Sequence, residues 1–310
     1  MNKISENRIA VLLPCMNEET TIVQVVKGFK ESLPDATIYV YDNASEDETA
    51  LKATEAGAQV VFEPTLGKGQ VVRRMFADVE ADIYVIADGD STYDPAEAPV
   101  LLKTLSEGGY DMVSGSRLGM SGEFSRKGHA LGNRMFNRLY RSLFGSGFTD
   151  IFTGYRVFTR RFVKSFPLIS SGFEVEAELS VHASQLRLPV TEIPIHYGAR
   201  PRGSTSKLRT FSDGFKILKT MLVLLKDNRP FFLFGSMAAA FFLAGVGISV
   251  PVINTYAQTG LVPRLPTAVL AMGFVLLSLL LIVSGLILDA VAKSRVEAKR
   301  LTYLQLPANS

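Results

Sequence analysis

Two uncharged apolar runs, Phe231 to Ile253 and Leu265 to Leu288, constrain this chain more than any other feature. Each is longer than the roughly 20 residues an α-helix needs to cross the hydrocarbon of a bilayer. A buried hairpin inside a soluble domain has the same composition, but two such runs on either side of a short connector read first as a pair of membrane spans. Basic residues set their orientation. Lys216, Lys219, Lys226 and Arg229 precede the first run, Lys293, Arg295, Lys299 and Arg300 follow the second, and the connector holds only Arg264. By the positive-inside rule, both termini are expected to face the cytoplasm. The apolar IAVLL near the N-terminus runs straight into a polar loop, so it reads as a first strand rather than a signal peptide.

The remaining composition narrows the classes of function. The 310 residues, 47% of them hydrophobic, supply a sizeable core without covalent staples. Cys15 stands alone, so no internal disulfide forms, and His129, His182 and His196 are too far apart in sequence for a zinc cluster. A net charge of +3 gives no reason to expect a nucleic-acid partner. Just before the first span, Phe211, Phe215, Leu218, Met221, Leu222 and Leu225 recur at helical spacing among basic residues. That pattern suits a helix lying in the membrane interface and an amphipathic core helix equally.

Upstream of residue 210 the pattern alternates. Strands are expected at 8–13, 37–42, 59–62, 83–87 and from 112, and helices at 18–32, 45–56, 69–78 and 95–107, with Ser45 and Glu48 spaced as a capping box. This rhythm predicts an α/β domain built on a mostly parallel sheet, carrying a C-terminal transmembrane helical hairpin. The expected partition is this α/β domain at 1–210, a juxtamembrane amphipathic helix at 211–229, the two spans within 230–290 and a cytoplasmic tail at 291–310.

In such a sheet, ligands bind at the carboxyl ends of the strands. The first strand ends in PCMNEE (14–19), with Pro14 expected to stop it, and the second in YDNASEDET (41–49). Glu18 and Asp42 thereby place acceptors side by side, suited to base or ribose hydroxyls, while Asn43, Ser45 and Asp47 read more readily as helix caps. Gly67-Lys68-Gly69 bends the chain and adds one positive charge, but it lacks the full phosphate-loop pattern, and no GxGxxG opens the first helix. The strongest chemical signal is Asp88-Gly89-Asp90, directly after the strand YVI. Two carboxylates one residue apart suit a divalent ion, Mg²⁺ or Mn²⁺, that neutralises the diphosphate of a nucleoside-diphosphate sugar. Asp94 either supports that site or caps the helix after it.

With these residues in place, the chain resembles the GT-A-fold glycosyltransferases of family 2, and within them the membrane-linked transferases that make polyprenyl-phosphate sugars such as dolichyl-phosphate mannose. PCMNEE, YDNAS (41–45), GKG (67–69), ADGD (87–90), GSR (115–117), GNR (132–134), TDIFTGYR (149–156), FEVEAEL (173–179) and YGARPRGSTSK (197–207) carry the resemblance across nearly the whole segment before the spans. It implies that Pro14, Glu18, Asp42 and Lys68 line the nucleotide pocket and that Asp88 and Asp90 handle metal and diphosphate. It also implies that Asp150 faces the reaction centre and that Arg117, Arg134, Arg200 and Arg202 are candidates for the lipid phosphate. Two departures stand out: Thr92 replaces a glutamine found after the acidic motif in many members, and either Arg200 or Arg202 aligns with the family's phosphate-facing arginine. The chain has no Trp, hence no QxxRW motif of processive synthases.

The acceptor chemistry is consistent with that resemblance. An isoprenyl phosphate is already anionic near neutral pH, so it needs positioning cations more than a strong base. Arg117, Arg126, Lys127, Arg134, Arg138 and Arg141 follow the central strand end, and Arg200, Arg202, Lys207 and Arg209 precede the juxtamembrane segment, where solvated faces and lipid headgroups are competing explanations. Residues 121–128 read as a basic loop that closes over an acceptor or as an ordinary connection. Glu174, Glu176 and Glu178 line a sugar pocket or form a helix face. The expected activity is inverting transfer of a sugar, from UDP by family preference, to polyprenyl phosphate at the cytoplasmic membrane face. The alternatives are a hydroxyl acceptor or sugar-nucleotide binding without turnover. A homo-oligomer is compatible with the paired spans.

Overall fold

The computed structural model describes residues 7–117, 148–168, 172, 175–198, 222–223 and 225–307. Arg126, Arg134, Arg200, Arg202, Lys207, the 121–128 loop and most of the expected juxtamembrane helix lie outside them. The chain divides into two units, Met1–Gly214 with Lys299–Ser310, and Phe215–Ala298.

The first unit holds a seven-stranded sheet of order β3-β2-β1-β4-β6-β5-β7, formed by Ile9–Cys15 (β1), Thr37–Asp42 (β2), Gln59–Phe62 (β3), Ile83–Ile86 (β4), Met112–Ser116 (β5), Arg156–Thr159 (β6) and Val190–Pro194 (β7). All neighbours pair in parallel except β6, which runs antiparallel to β4 and β5. The helices are α1 (Ile22–Ser32), α2 (Thr49–Glu55), α3 (Lys68–Asp78), α4 (Ala98–Gly108), α5 (Arg160–Ser165) and α6 (Val175–Leu186). Strands β1 and β4 are apolar throughout because both of their faces are covered. Ile9, Val11, Leu13 and Cys15 pack with Val25, Val26 and Phe29 of α1 and with Leu101, Leu102 and Leu105 of α4. On the opposite face, Phe76, Tyr84, Phe158, Phe162 and Phe166 form a chain of ring contacts.

Three local expectations are corrected. Pro14 does not stop β1; it pairs with Tyr41, and the strand runs on to Cys15. Leu12 accepts from Ala87 N–H on the β4 side and Cys15 accepts from Asn43 N–H on the β2 side. Backbone groups alternate sides, so Pro14 faces β4, past the point where that ladder ends at Leu12 and Ile86, and its missing N–H removes no sheet bond. The first helix starts at Ile22, not Glu18, because the Glu18 carbonyl closes a turn on Thr21 and Ile22 N–H first. Ser45 caps nothing: α2 begins at Thr49, and the Ser45 hydroxyl accepts from Asn17 N–H at 2.8 Å.

The second unit contains most of a pair of helices, α7 (Pro230–Thr259) and α8 (Leu265–Gln305), both long and apolar enough to cross a membrane. Beyond Pro230 at the start of α7, their buried residues, Ala238, Gly245 and Val252 on α7 and Ala271, Ser278, Gly285 and Ala292 on α8, recur every seventh position. Small side chains let the backbones approach: a Cβ added at Gly245 would lie 3.1 Å from the Ala271 carbonyl oxygen. Large apolar side chains such as Leu243, Ile253, Leu280 and Ile287 remain exposed, as a lipid-facing surface requires. Helix α8 does not end near residue 290. Its last turns, from Lys299, belong to the first unit, where Tyr303 donates to Asp111 Oδ2 at 2.7 Å and Lys299 to Gln185 Oε1 at 2.9 Å.

Candidate active site

The strand order 3-2-1-4 opens a crevice at the carboxyl ends of β1, β2 and β4, and three non-glycine residues there have left-handed backbone. Asn17 (φ 52°) follows β1, Ala44 (53°) follows β2 and Ser91 (59°) follows β4. Conformations of this kind cost of order 1 kcal/mol each and gather where function fixes a loop. Side-chain bonds hold the loops together. Asn43, expected as a helix cap, donates to the Glu63 and Thr65 carbonyls and accepts from Gly67 N–H, and so anchors the bend before α3. Asp47 accepts from Glu19 and Thr49 N–H, joining the first two loops at the start of α2.

Asp42 and Glu18 are both buried. Asp42 Oδ2 accepts from Ser45 N–H at 3.3 Å, while its Oδ1 has no hydrogen-bond partner. An acceptor buried without a donor costs about 1–3 kcal/mol, which a ligand N–H or hydroxyl in this crevice would recover.

Asp88 and Asp90 follow β4 but have different surroundings. Asp90 is 2% exposed and takes the Thr92 hydroxyl at 2.5 Å and the Thr92 N–H at 3.1 Å, so the residue that departs from the family pattern fixes this carboxylate. Asp88 is reached by Lys68, whose ammonium is 2.5 Å from Asp88 Oδ1 and 2.6 Å from Glu176 Oε1. Burial alone would lower the Lys68 pKa, but the charges of Asp88 and Glu176 outweigh it and hold it well above the ordinary lysine value. Gly154 gives Asp88 its space, since a Cβ there would lie 2.6 Å from Asp88 Oδ2. Gly154 N–H in turn donates to the Tyr93 hydroxyl at 2.8 Å. Gly89 lets the β1 and β4 ends come together, since a Cβ there would meet Cys15 Sγ at 2.4 Å. Asp94 caps the short 3₁₀ turn Pro95–Glu97 through Ala96 N–H.

Arg117 and Asp150, read separately from the sequence, form one bidentate pair. Nε lies 2.7 Å from Oδ2 and Nη2 lies 2.9 Å from Oδ1. Burial would raise the Asp150 pKa, yet the Arg117 guanidinium more than offsets it and keeps the carboxyl below its ordinary value. Glu192 accepts from the Thr149 and Asp150 N–H groups and fixes the loop, and the guanidinium stands 5.4 Å from the centre of the Tyr197 ring. Both Asp150 oxygens are thus engaged by Arg117, which the pair holds in one orientation.

The structure therefore brings together Glu18, Asp42, Lys68, Asp88 and Asp90 around adjacent strand ends, with Pro14 at the end of β1. Sequence reasoning missed Glu176 as a partner of Lys68 and Tyr93 as a support for Gly154. The signal for Glu176 was an acidic residue between Val175 and Leu179, both buried positions of α6.

The model of the family described as glycosyl transferase family 2 matches residues 10–166. Glycosyltransferase AglJ of Haloferax volcanii is 33% identical over 301 residues, which covers 96% of this chain and 98% of that protein. The dolichyl-phosphate hexose transferase of the same organism is 27% identical over 229 residues, covering 74% of this chain and 99% of that protein. Among solved structures, glucosyl-3-phosphoglycerate synthase from Mycobacterium tuberculosis with phosphoglyceric acid shares the fold at a TM-score of 0.60 and 23% identity, covering 71% of this chain and 81% of that one. The same synthase has been crystallised with Mn²⁺, UDP-glucose and phosphoglyceric acid, and that structure gives a TM-score of 0.59 at 23% identity over 71% of this chain and 80% of that one.

Proposed function

The chain belongs to glycosyl transferase family 2, with the GT-A fold and the sugar-transfer activity of that family, and from this premise we propose that it moves a sugar from a nucleoside diphosphate, UDP by preference, to polyprenyl phosphate at the cytoplasmic face of a membrane. The observation that carries the proposal is the set of carboxylates at the ends of β2 and β4, the two strands that flank β1: Asp42 with an unpartnered oxygen, and Asp88 and Asp90 after β4. The first suits a base or ribose group, and the other two suit a cation bridged to diphosphate.

Asp88 and Asp90 fit one Mg²⁺ or Mn²⁺ ion. Such ions commonly take one or two protein carboxylates and complete their shell with substrate phosphate and water, and the described residues hold no cluster of three or more ligating side chains. Bound there, the ion would supply Lewis-acid stabilisation to the departing diphosphate. Thr92 keeps Asp90 in one orientation, and Gly154 leaves room for the Asp88 carboxylate.

On the acceptor side, Asp150 holds the Arg117 guanidinium in place, and Arg126, Arg134, Arg200, Arg202 and Lys207 are the further candidates for the acceptor phosphate. An ionised phosphate attacks the anomeric carbon directly, so inversion follows without a general base. The name of the dolichyl-phosphate hexose transferase supports a lipid-phosphate acceptor, and the two helices long and apolar enough to cross a membrane would account for it physically. Anchoring holds the site near a carrier confined to the bilayer and raises its effective concentration.

The test uses the purified full chain with short-chain polyprenyl phosphate and a panel of radiolabelled nucleotide sugars, in Mn²⁺, in Mg²⁺ and in EDTA. Label should enter the lipid phase only with metal, and Asp88→Asn or Asp90→Asn should lower the rate by about a hundredfold or more. Absence of a lipid product with every donor defeats the acceptor assignment.

A further inference from the structure

Lys68 opens α3 and its ammonium stands between two carboxylates from different elements, Asp88 after β4 and Glu176 on α6. Side-chain exposure is 13% for Lys68 and 9% for Glu176 against 29% for Asp88, so the lysine and glutamate lie beneath the aspartate. The family resemblance implies that Lys68 lines the nucleotide pocket, and in the structure its charge is engaged by two carboxylates. The same Asp88 that the proposed function gives to a divalent ion has Oδ1 on the lysine, and its Oδ2 lies against Gly154. A metal ion and this ammonium compete for one carboxylate.

We propose that Lys68 is the resident counter-cation of Asp88, displaced from it when a divalent ion binds, and that Glu176 is a positioning residue that keeps the displaced ammonium at the site to meet the donor diphosphate. The inference rests on the reading that Asp88 and Asp90 hold the ion. Charge arithmetic favours the exchange. Asp88, Asp90 and Glu176 with Lys68 sum to two negative charges, which one divalent ion cancels. The donor then brings two more, and an ammonium still held by Glu176 but released from Asp88 is the nearby charge that offsets part of them. Lysine suits this exchange because its ammonium is a compact charge on a flexible stem and can change partners without moving the backbone.

The experiment titrates Mn²⁺ alone into the full chain in detergent, without donor, and follows the free ion by its electron paramagnetic resonance signal. Lys68→Met removes the competitor and should tighten Mn²⁺ binding about tenfold, the size of one charge-assisted hydrogen bond. Lys68→Gln carries the same expectation where the methionine variant does not fold, and Lys68→Arg, which keeps the charge, should stay within about twofold of the unaltered chain. Glu176→Gln leaves the lysine to Asp88 alone and should weaken Mn²⁺ binding several-fold, an effect that should shrink once Lys68 is also Met because Glu176 acts through the lysine. Unchanged or weaker Mn²⁺ binding in the uncharged Lys68 variants overturns the counter-cation, and an equal effect of Glu176→Gln in both backgrounds overturns the positioning role. Asp88→Asn separates the two levels. Mn²⁺ binding that survives it defeats the underlying metal reading, whereas binding lost there but unmoved in Lys68→Met defeats this inference alone.

Discussion

His182 shows how a single residue can couple this fold to pH. It is 1% exposed on α6, edge-on to the rings of Phe162 and Phe166 at 5.2 and 5.1 Å, with Nε2 3.3 Å from the Ser165 hydroxyl and Nδ1 without a partner. Burial first, and then the charge of Lys299, push its pKa down to about 3. The folded ring therefore stays neutral where an unfolded one, with an ordinary value near 6.5, takes up a proton. Its stabilising contribution is complete above about pH 6.5 and is lost progressively as pH falls from there towards about 3. The thermal midpoint of the full chain should fall between pH 6.5 and 4, and the fall should be smaller in His182→Gln. Equal pH slopes in the two proteins would show that His182 is not the group responsible. The same economy of single atoms governs the site: one unpartnered oxygen on Asp42 and one hydroxyl on Thr92 say more about a ligand than the charge total does.

At the scale of elements, the join between β1 and β4 bears directly on the acidic motif. Gly89 sits where a Cβ would meet Cys15 Sγ at 2.4 Å, while its next contacts, Cys15 Cβ and Ile22 Cδ1, lie at an ordinary 3.7 Å. Gly89→Ala should cost about 1–3 kcal/mol through overpacking and lower transfer by displacing Asp88 and Asp90. Removing the sulfur in Gly89→Ala/Cys15→Ala should restore much of both, measured as thermal midpoint and transfer rate; additive losses would place the strain elsewhere. This join was half legible beforehand. The parallel strands and the Asp88-Gly89-Asp90 motif stood out because strands covered on both faces are continuously apolar and a polar break after one marks its carboxyl end. The antiparallel direction of β6 was not legible, since RVFT carries no sign of which way it runs. Nor was the Lys68–Glu176 pair, whose partners lie far apart in the chain and meet only because α3 and α6 cover the same strand ends. The seven-residue spacing of Ala238, Gly245 and Val252 was in the sequence, but inside a uniformly apolar run small residues stand out only once the facing helix is known.

On the scale of the whole molecule, the chain returns to its catalytic unit after leaving it. Helix α8 continues without a break to Gln305, and its last turns complete a buried polar cluster. Asp111, fully buried at the start of β5, accepts from Arg161 Nε at 2.5 Å, from the Thr159 hydroxyl at 2.8 Å and from the Tyr303 hydroxyl at 2.7 Å, while the Arg161 guanidinium stacks 4.9 Å from the centre of the Tyr303 ring. A buried carboxylate depends on every donor it has, because low local polarity makes a missing one costly. Residues 299–307 are therefore part of the folded catalytic unit, and a stretch expected as part of a cytoplasmic tail has a structural role. Tyr303→Phe keeps the ring over Arg161 and removes one hydrogen bond to an ionised group, which should cost about 1–3 kcal/mol. Ending the chain after Ala298 removes the bond, the ring and the Lys299–Gln185 contact together and should cost more, while both apolar runs stay intact. Thermal unfolding of the three proteins in detergent, followed through the aromatic residues of the catalytic unit, should rank full chain, Tyr303→Phe and truncation in falling order of midpoint. A truncated protein that unfolds at the same midpoint as the full chain would return residues 299–310 to the status of a free tail.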